Sequence, residues 1–585
     1  MDLRESSLDL GGERPTLGII LAAILPGALA GTQLVGLLFF LNPHLPFDPS
    51  IILRVVVFYG SILGFASFIV LAPFFWFEPA RIRQWLPISL TAVLAGAALW
   101  AWIHVSYFAF LLPPGINRRL LKAAIWLTLA MLVCFYTVLA HRVRHRPYGT
   151  KSFILFFIVA FISVSVVFER REAFRPKVRP EPRPTTFEQN PRPKLCIVGI
   201  ETATLDAILP LAEQGRLPFF STLLQEGTHG RLRSLTPAHR LPLWNTLTTG
   251  KYPYRHGIVG EQIHPAEYLG KEAYFNILPF GLGFDRWGAW GSPRPINAHD
   301  SRVRPLWEIL SLLDIHTGIV GWPMTSPVSR QVHTTLSEAF FEQGRADLVF
   351  PEELVERARL FRTRINDIDP VHTNRFGSNP PTALLDALAQ DLWRQDLTFL
   401  LMDQSPEIDA FFVLLPGLRN MSKRYFGGFS ATRFEGVKDD VSIQAAQYLD
   451  AYYTHLDNFL GRVWDSLPES KLLMVVSTHG AEEPRGWKDL HRRFLRRPAL
   501  EGTLDSGADG VIFMLGDGIN PGQSLRSAEL VDLMPTIFYG LGLPVARDHD
   551  GVVLTDAFES SFLARQPLTF VPSYEALPDP PSEDR

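Results

Sequence analysis

The sequence predicts a helical membrane domain of five spans, followed by an α/β domain in which helices flank a mostly parallel sheet. Three observations predict it. The long apolar runs of this 585-residue chain crowd before residue 169. After residue 194, short apolar runs alternate with helical patterns. Between the two lies a stretch dense in proline and basic residues. The length is enough for two or more domains. A net charge of −3 gives no basis for nucleic-acid binding, so no nucleic-acid partner is expected. The two cysteines, Cys134 and Cys196, sit in apolar surroundings and read as small buried hydrophobes, which leaves the redox compartment open.

Five apolar segments, at 16–41, 51–77, 86–112, 120–140 and 152–168, are the candidate spans of a domain covering 1–168. A membrane helix needs about 20 apolar residues, with a lower limit near 17. The fifth segment, SFILFFIVAFISVSVVF, is at that limit but carries no charge. The first is too long for a cleavable signal peptide and is followed by further spans. Arg54, near the start of the second span, is placed to snorkel to the interface. His104 in the third span is expected to pair with a neighbouring helix.

Lys and Arg in short loops set the orientation. With the N-terminus inside, the inner segments hold Arg4, Arg14, Arg81, Arg83, Arg142, Arg144, Arg146 and Lys151. The outer loops hold Arg118 and Arg119, with Lys122 just inside the fourth span. That favours N-in and, after five spans, an extracytoplasmic C-terminal domain on a multi-pass protein of the plasma or inner membrane. The basic stretch 169–193 argues the other way. Its prolines, Pro176, Pro180, Pro182, Pro184, Pro191 and Pro193, favour an extended stalk of about 3.1 Å per residue. Its basic groups suit anionic headgroups of the lipid bilayer.

From residue 194 to 565 the elements alternate. LCIVGI reads as a buried parallel strand, and GRLRSL, HTGIVGW, DAFFVLLPG, KLLMVVSTHG and DGVIFMLG as further strands. Helices are predicted at LDAILPLAEQG, FFSTLLQEG and PLWEILSLL, and within 381–403, 443–466 and 528–541. Sites in such sheets form at the carboxyl ends of strands, where GIET, LPGLR and STHG fall. Residues 260–300, rich in Gly, Pro and aromatics, read as a long insertion near that edge, and 566–585 as a disordered tail.

The run LCIVGIETATLD…TPAHRLPLWNTLTTGKYPYRHGI, from Leu195 to Ile258, resembles the type I phosphodiesterase/nucleotide pyrophosphatase branch of the alkaline phosphatase superfamily. RPLWEILSLLDIHTGIVGWPMTSPV and VDLMPTIFYGLGLPVARDHDG match further family segments in the same order, so that the resemblance runs over nearly all of 194–560. It implies an alkaline-phosphatase-like α/β fold. It also implies two zinc ions, each with about three Asp or His ligands, and a Ser or Thr nucleophile.

The residues at those positions depart from the pattern. The first ligand, an Asp in G-x-D-G, is Glu201 in GIET. The nucleophile, four residues before the Trp of S-x-x-x-W, is Arg240, which is always protonated and cannot attack phosphorus. The Asp and His of G-x-D-x-x-x-H are Arg419 and Lys423. The S-D-H-G pair is Thr478 and His479, and the last His is Ser506. Glu201 and His479 keep a plausible ligand role; Arg240, Arg419 and Lys423 are permanently basic. His229, His256, His491 and Asp505 are nearby polar residues for which loop or surface roles are expected. No metal or other cofactor is expected on this reading, and zinc only if the site is active. The expectation is a degenerate member, a pseudoenzyme, in which Arg240, Arg419 and Lys423 hold a phosphate or sulfate group or pair internally with Glu201. The rivals are an active phosphodiesterase or phosphotransferase with a rearranged site, acting on lipid-linked or envelope substrates, and a structural subunit bound to other membrane proteins.

Overall fold

The computed structural model describes residues 16–45, 48–78, 81–167, 192–266, 273–279, 292–364, 368–377, 379–434, 439–483, 500–504 and 507–576. The chain forms two compact units, one of residues 1–176 and 262–294, the other of 177–261 and 295–585.

The first unit is built on apolar helices. Four are long and apolar enough to cross a membrane: α1 (Thr16–Leu41), α2 (Pro49–Phe77), α3 (Ile82–Tyr107) and α4 (Pro114–Val143). A fifth, α5 (Thr150–Val167), is as apolar but shorter. Asp48 starts α2: its Oδ1 accepts a hydrogen bond from Ser50 N at 2.8 Å, and Pro49 occupies the first turn, where its missing N–H costs nothing. The third span ends at Tyr107 rather than 112, and the fourth begins at Pro114 rather than 120. Pro114 explains the early start of the fourth span, because proline suits the first turn of a helix.

Packing of α1 on α2 depends on glycine. A Cβ at Gly31 would lie 2.7 Å from the Cα of Gly60, and one at Gly27 would collide with the Leu63 carbonyl. The pairs Gly27/Gly31 and Gly60/Gly64 are both G-x-x-x-G, the spacing that lets membrane helices approach backbone to backbone. His104 is fully buried, and its Nδ1 bonds Trp100 O of its own helix at 2.7 Å.

Segment 262–294, read from the sequence as part of an insertion at the sheet edge, groups with these helices. Strands Gln262–Pro265 and Tyr274–Phe275 pair antiparallel there. Asn42 Nδ2 donates to Ile277 O at 2.8 Å, and its Oδ1 accepts from Asn276 N at 2.7 Å and Ile277 N at 3.1 Å. His44 stacks on Tyr274 at 4.6 Å. Phe275 and Ala266 share an apolar cluster with Leu34, Leu38, Val55 and Tyr59. These contacts join residues more than 200 positions apart, which no local pattern reveals.

The second unit is an α/β domain around a nine-stranded sheet. Its strands are β1 (Lys194–Ile200), β2 (Thr228–Leu232), β3 (Thr317–Val320), β4 (Thr334–Leu336), β5 (Val349–Phe350), β6 (Ala410–Leu415), β7 (Lys471–Ser477), β8 (Gly510–Gly516) and β9 (Gln523–Leu525). Their order is β9-β2-β8-β7-β1-β6-β3-β4-β5. The run β7-β1-β6-β3-β4 is parallel throughout, whereas β8 is antiparallel to both β7 and β2. Strand β1 is central, and Leu195 to Ile200 are all buried, as its unbroken apolar sequence requires. Gly199 is needed where it stands, because a Cβ there would meet Leu414 and, at 2.8 Å, the Trp244 ring. Five parallel strands ending at one edge place the residues that follow them side by side.

The fold continues to residue 576, past the point where the sequence suggested a tail. Tyr574 is buried, stacks on Phe538 at 4.7 Å and donates its hydroxyl to Pro544 O at 2.6 Å. Pairing of Phe570–Val571 with Val545–Ala546 and the bonds that Glu575 accepts from Lys251 Nζ and Arg304 N hold the same segment. The stalk expected at 169–193 lies almost wholly outside the described residues, as do 577–585.

Candidate functional site

Four of the five parallel strands, β1, β4, β6 and β7, are followed by charged or polar groups at the shared edge, and a helix adds Arg240. Glu201 follows β1 directly, and its N–H donates to Leu415 O at the end of β6 at 3.1 Å. Glu338 follows β4 and opens the helix Glu338–Gln343. Arg419 lies in the first turn of the helix Gly417–Phe434, which follows β6. Thr478 and His479 follow β7. Arg240 opens the helix Arg240–Thr249, which carries the buried Trp244.

The structure joins three of the residues singled out from the sequence. Arg240 donates from Nε to Glu201 Oε1, and Arg419 Nε forms an ion pair with Glu201 Oε2 at 3.6 Å. Glu201 is 0% exposed, the Arg240 side chain 13% and the Arg419 side chain 41%. A fourth member was missed by sequence reasoning. Glu338 receives both remaining nitrogens of Arg240: Nη1 donates to Oε2 at 2.9 Å, and Nη2 to Oε1. Arg240 is thus clamped between two carboxylates, bidentate toward one of them. Burial alone would lower its pKa, but Glu201 and Glu338 outweigh that and hold it above the ordinary value. Burial pushes Glu338 the other way, and Arg240 brings its carboxyl below the usual range.

Behind this clamp lies a second buried layer. Arg394 is 1% exposed, donates from Nη1 to Gln390 O at 2.9 Å, and feels the charges of Glu338 and Asp391. Gly321, at φ +66°, leaves room for it; a Cβ there would lie 2.9 Å from Arg394 Cδ. Asp391 accepts from Tyr452 OH at 2.7 Å and from Gly417 N at 3.0 Å, and burial pushes its carboxyl up to about 6.

Thr202 occupies the glycine position of the G-x-D-G pattern. It keeps a left-handed backbone, φ +66°, that a β-branched residue rarely adopts. Its Oγ1 donates to Ser422 Oγ at 3.0 Å, so the strain is held by a buried hydrogen bond beside Glu201.

His479 is buried and shares a 3.1 Å hydrogen bond from its Nδ1 with Thr478 Oγ1. Burial, reinforced by Arg419 and Arg240, lowers its pKa to about 3, so the ring is neutral near pH 7. Lys423 stands one helical turn beyond Arg419 with its side chain exposed. Among the described residues, Glu201 pairs with the two arginines and not with this lysine. Ser506, Asp505 and His491 lie outside the described residues. His256 is structural. Its Nδ1 accepts from Ile258 N at 3.1 Å, so Nε2 carries the proton toward Thr246 Oγ1. His229 lies within β2 and stacks on Phe513.

These side chains do not fit a pair of zinc ions. Both carboxylate oxygens of Glu201 face guanidinium groups; at the positions where the resemblance implies metal ligands, Arg419 brings a fixed positive charge and Thr478 a hydroxyl. Among the described residues, no three His, Cys, Asp or Glu side chains are gathered to hold a metal ion. What the arrangement does offer is a balanced ion-pair cluster, with Arg419 and Lys423 reaching toward solvent at its margin. A family model described as type I phosphodiesterase / nucleotide pyrophosphatase matches residues 195–521.

Proposed function

Since the chain belongs to the type I phosphodiesterase/nucleotide pyrophosphatase family, we propose that it is a membrane-anchored member that has given up metal-dependent cleavage and uses the same edge of the sheet to hold an anionic group. The observation that carries this reading is Arg240. It stands where the family's stretch has a hydroxyl nucleophile, and all three of its nitrogens are bound to carboxylates. Arg240 therefore keeps Glu201 neutralised and the pocket shaped. Arg419 and Lys423, on one face of their helix, are the groups that meet a phosphate or sulfate ester. The soluble unit works on the extracytoplasmic side; the excess of Lys and Arg on the inner side of an N-in arrangement supports this. Protease digestion of intact spheroplasts checks the sidedness.

The test of binding uses the full chain in detergent. Inorganic phosphate and sulfate are expected to raise the unfolding temperature, and Arg419→Ala with Lys423→Ala is expected to abolish the rise. A nitrophenyl phosphodiester should show no turnover with or without zinc. Zinc-stimulated turnover would overturn the loss of catalysis. An unchanged unfolding temperature would leave the cluster as a purely structural ion-pair network.

A further inference from the structure

The membrane unit contains a cavity of about 390 Å³ between α1, α2, α3 and α4, within the range of pockets that hold small molecules, about 300–1,000 Å³. Leu34, Leu37, Ile103 and Leu127 are among its apolar walls. Among the described residues that line it, Gln33 and Trp100 are the two whose side chains carry polar atoms. The cavity reaches the outer face of the helices at Leu99, which is 64% exposed, and at Gly96, where a Cβ would meet nothing within 4 Å. In a membrane that face meets hydrocarbon.

Gln33 is 6% exposed, and its Oε1 has no hydrogen-bond partner. The orientation of its amide follows from Ser163. The single proton of that hydroxyl goes to Ala160 O at 2.7 Å, so toward Gln33 the oxygen only accepts. Gln33 Nε2 therefore donates to Ser163 Oγ, at 2.9 Å, and Oε1 is left as a bare acceptor. An unpaired buried carbonyl costs about 1–3 kcal/mol. A water would find too few polar partners here, since an ordered one needs two to four.

We propose that this cavity takes one alkyl chain of a bilayer lipid, and that a hydroxyl or amide N–H close to that chain donates to Gln33 Oε1. The lateral opening selects a ligand dissolved in the bilayer, the walls select an alkyl chain, and the orphan acceptor selects a donor. Gln33 lies eight residues before the end of α1, roughly 12 Å along the helix, so the donor sits near the headgroup end of a chain entering from that side.

The full chain in nanodiscs of phosphatidylcholine, a lipid with no N–H or O–H donor, is irradiated with a diazirine-bearing palmitic acid as its N-methyl amide or as its methyl ester. Adducts are located by peptide mass spectrometry. The amide is expected to label the segments around Leu34–Leu37 and Ile103 about three- to tenfold more than the ester, as one hydrogen bond allows. Gln33→Leu should bring the amide down to the ester level. Gly96→Leu, which has space for its side chain, should close the mouth and lower labelling by both. Equal labelling by amide and ester in the parent protein would overturn the proposal. So would adducts spread evenly over outward residues such as Phe65 and Phe161, or labelling that survives Gly96→Leu.

Discussion

Arg240 and Arg419 touch opposite oxygens of one buried carboxylate, yet their surroundings differ. Arg240 is nearly buried and holds two carboxylates, whereas Arg419 is 41% exposed and 3.6 Å from its partner. Removing one side of a buried pair costs about 3–5 kcal/mol, because the other charge stays behind without water. An exposed pair is worth about 1 kcal/mol or less. Arg240→Met should therefore lower stability to urea by several times as much as Arg419→Met. Comparable losses would mean that Glu201 does not depend on the clamp. Much of this clamp was legible in the sequence. The register of GIET and of the segment before Trp244 placed Glu201 and Arg240 together, because the fold brings strand ends to one edge. Glu338 was not legible. It lies after a three-residue strand and belongs to no spaced pattern, and only the parallel order β1-β6-β3-β4 carries it to Arg240. Thr202 was half legible, since the pattern asks for glycine there, but its left-handed backbone and its bond to Ser422 are tertiary facts.

At the level of elements, hydrophobic period and length identified the membrane helices and the long strands, whose burial is written into their composition. They did not identify β4, β5 or β9, which have three, two and three residues and owe their existence to neighbours already in the sheet. The contact between α1 and α2 carries its own signal in two G-x-x-x-G spacings. The geometry is unequal across that contact. A Cβ at Gly31 would fall 2.7 Å from the facing backbone, while one at Gly60 would rest 3.9 Å from Ala28 O, an ordinary contact. Gly31→Ala should cost about 1–3 kcal/mol through overpacking, and Gly60→Ala should be nearly neutral. Thermal unfolding in detergent, followed by circular dichroism, distinguishes them. Equal effects would contradict the backbone approach described for these helices.

The whole molecule has an acid sensitivity built into its core. Burial holds His256, His455 and His479 neutral, with pKa values lowered from 6.5 to about 3. The unfolded chain takes up these protons near pH 6.5 and the folded chain does not. Stability is thus fully present above that pH and declines as pH falls toward 3, by up to about 1.4 kcal/mol per pH unit for each ring. Asp391 works against this. Its carboxyl, raised from 3.8 to about 6, binds a proton in the folded state first and adds stability as pH falls through that interval. Burial also raises Asp457 and Asp532, but it lowers His549 to about 4, so the imidazoles still prevail and the urea midpoint should fall between about pH 7 and about pH 5. A flat or rising midpoint would contradict the burial of these rings.

The function we propose has guanidinium groups in the place of metal in a phosphodiesterase-family domain. Arg240 pairs with Glu201 and Glu338, and Arg419 with Glu201, so a zinc ion brought to Glu201 would meet two cations already there. The most direct test is the zinc content of the full chain, purified in zinc-containing buffer, dialysed and measured by inductively coupled plasma mass spectrometry. Far less than one zinc per chain is expected, unchanged by Glu201→Ala or His479→Ala. Close to two zinc ions per chain, lost on those substitutions, would contradict it.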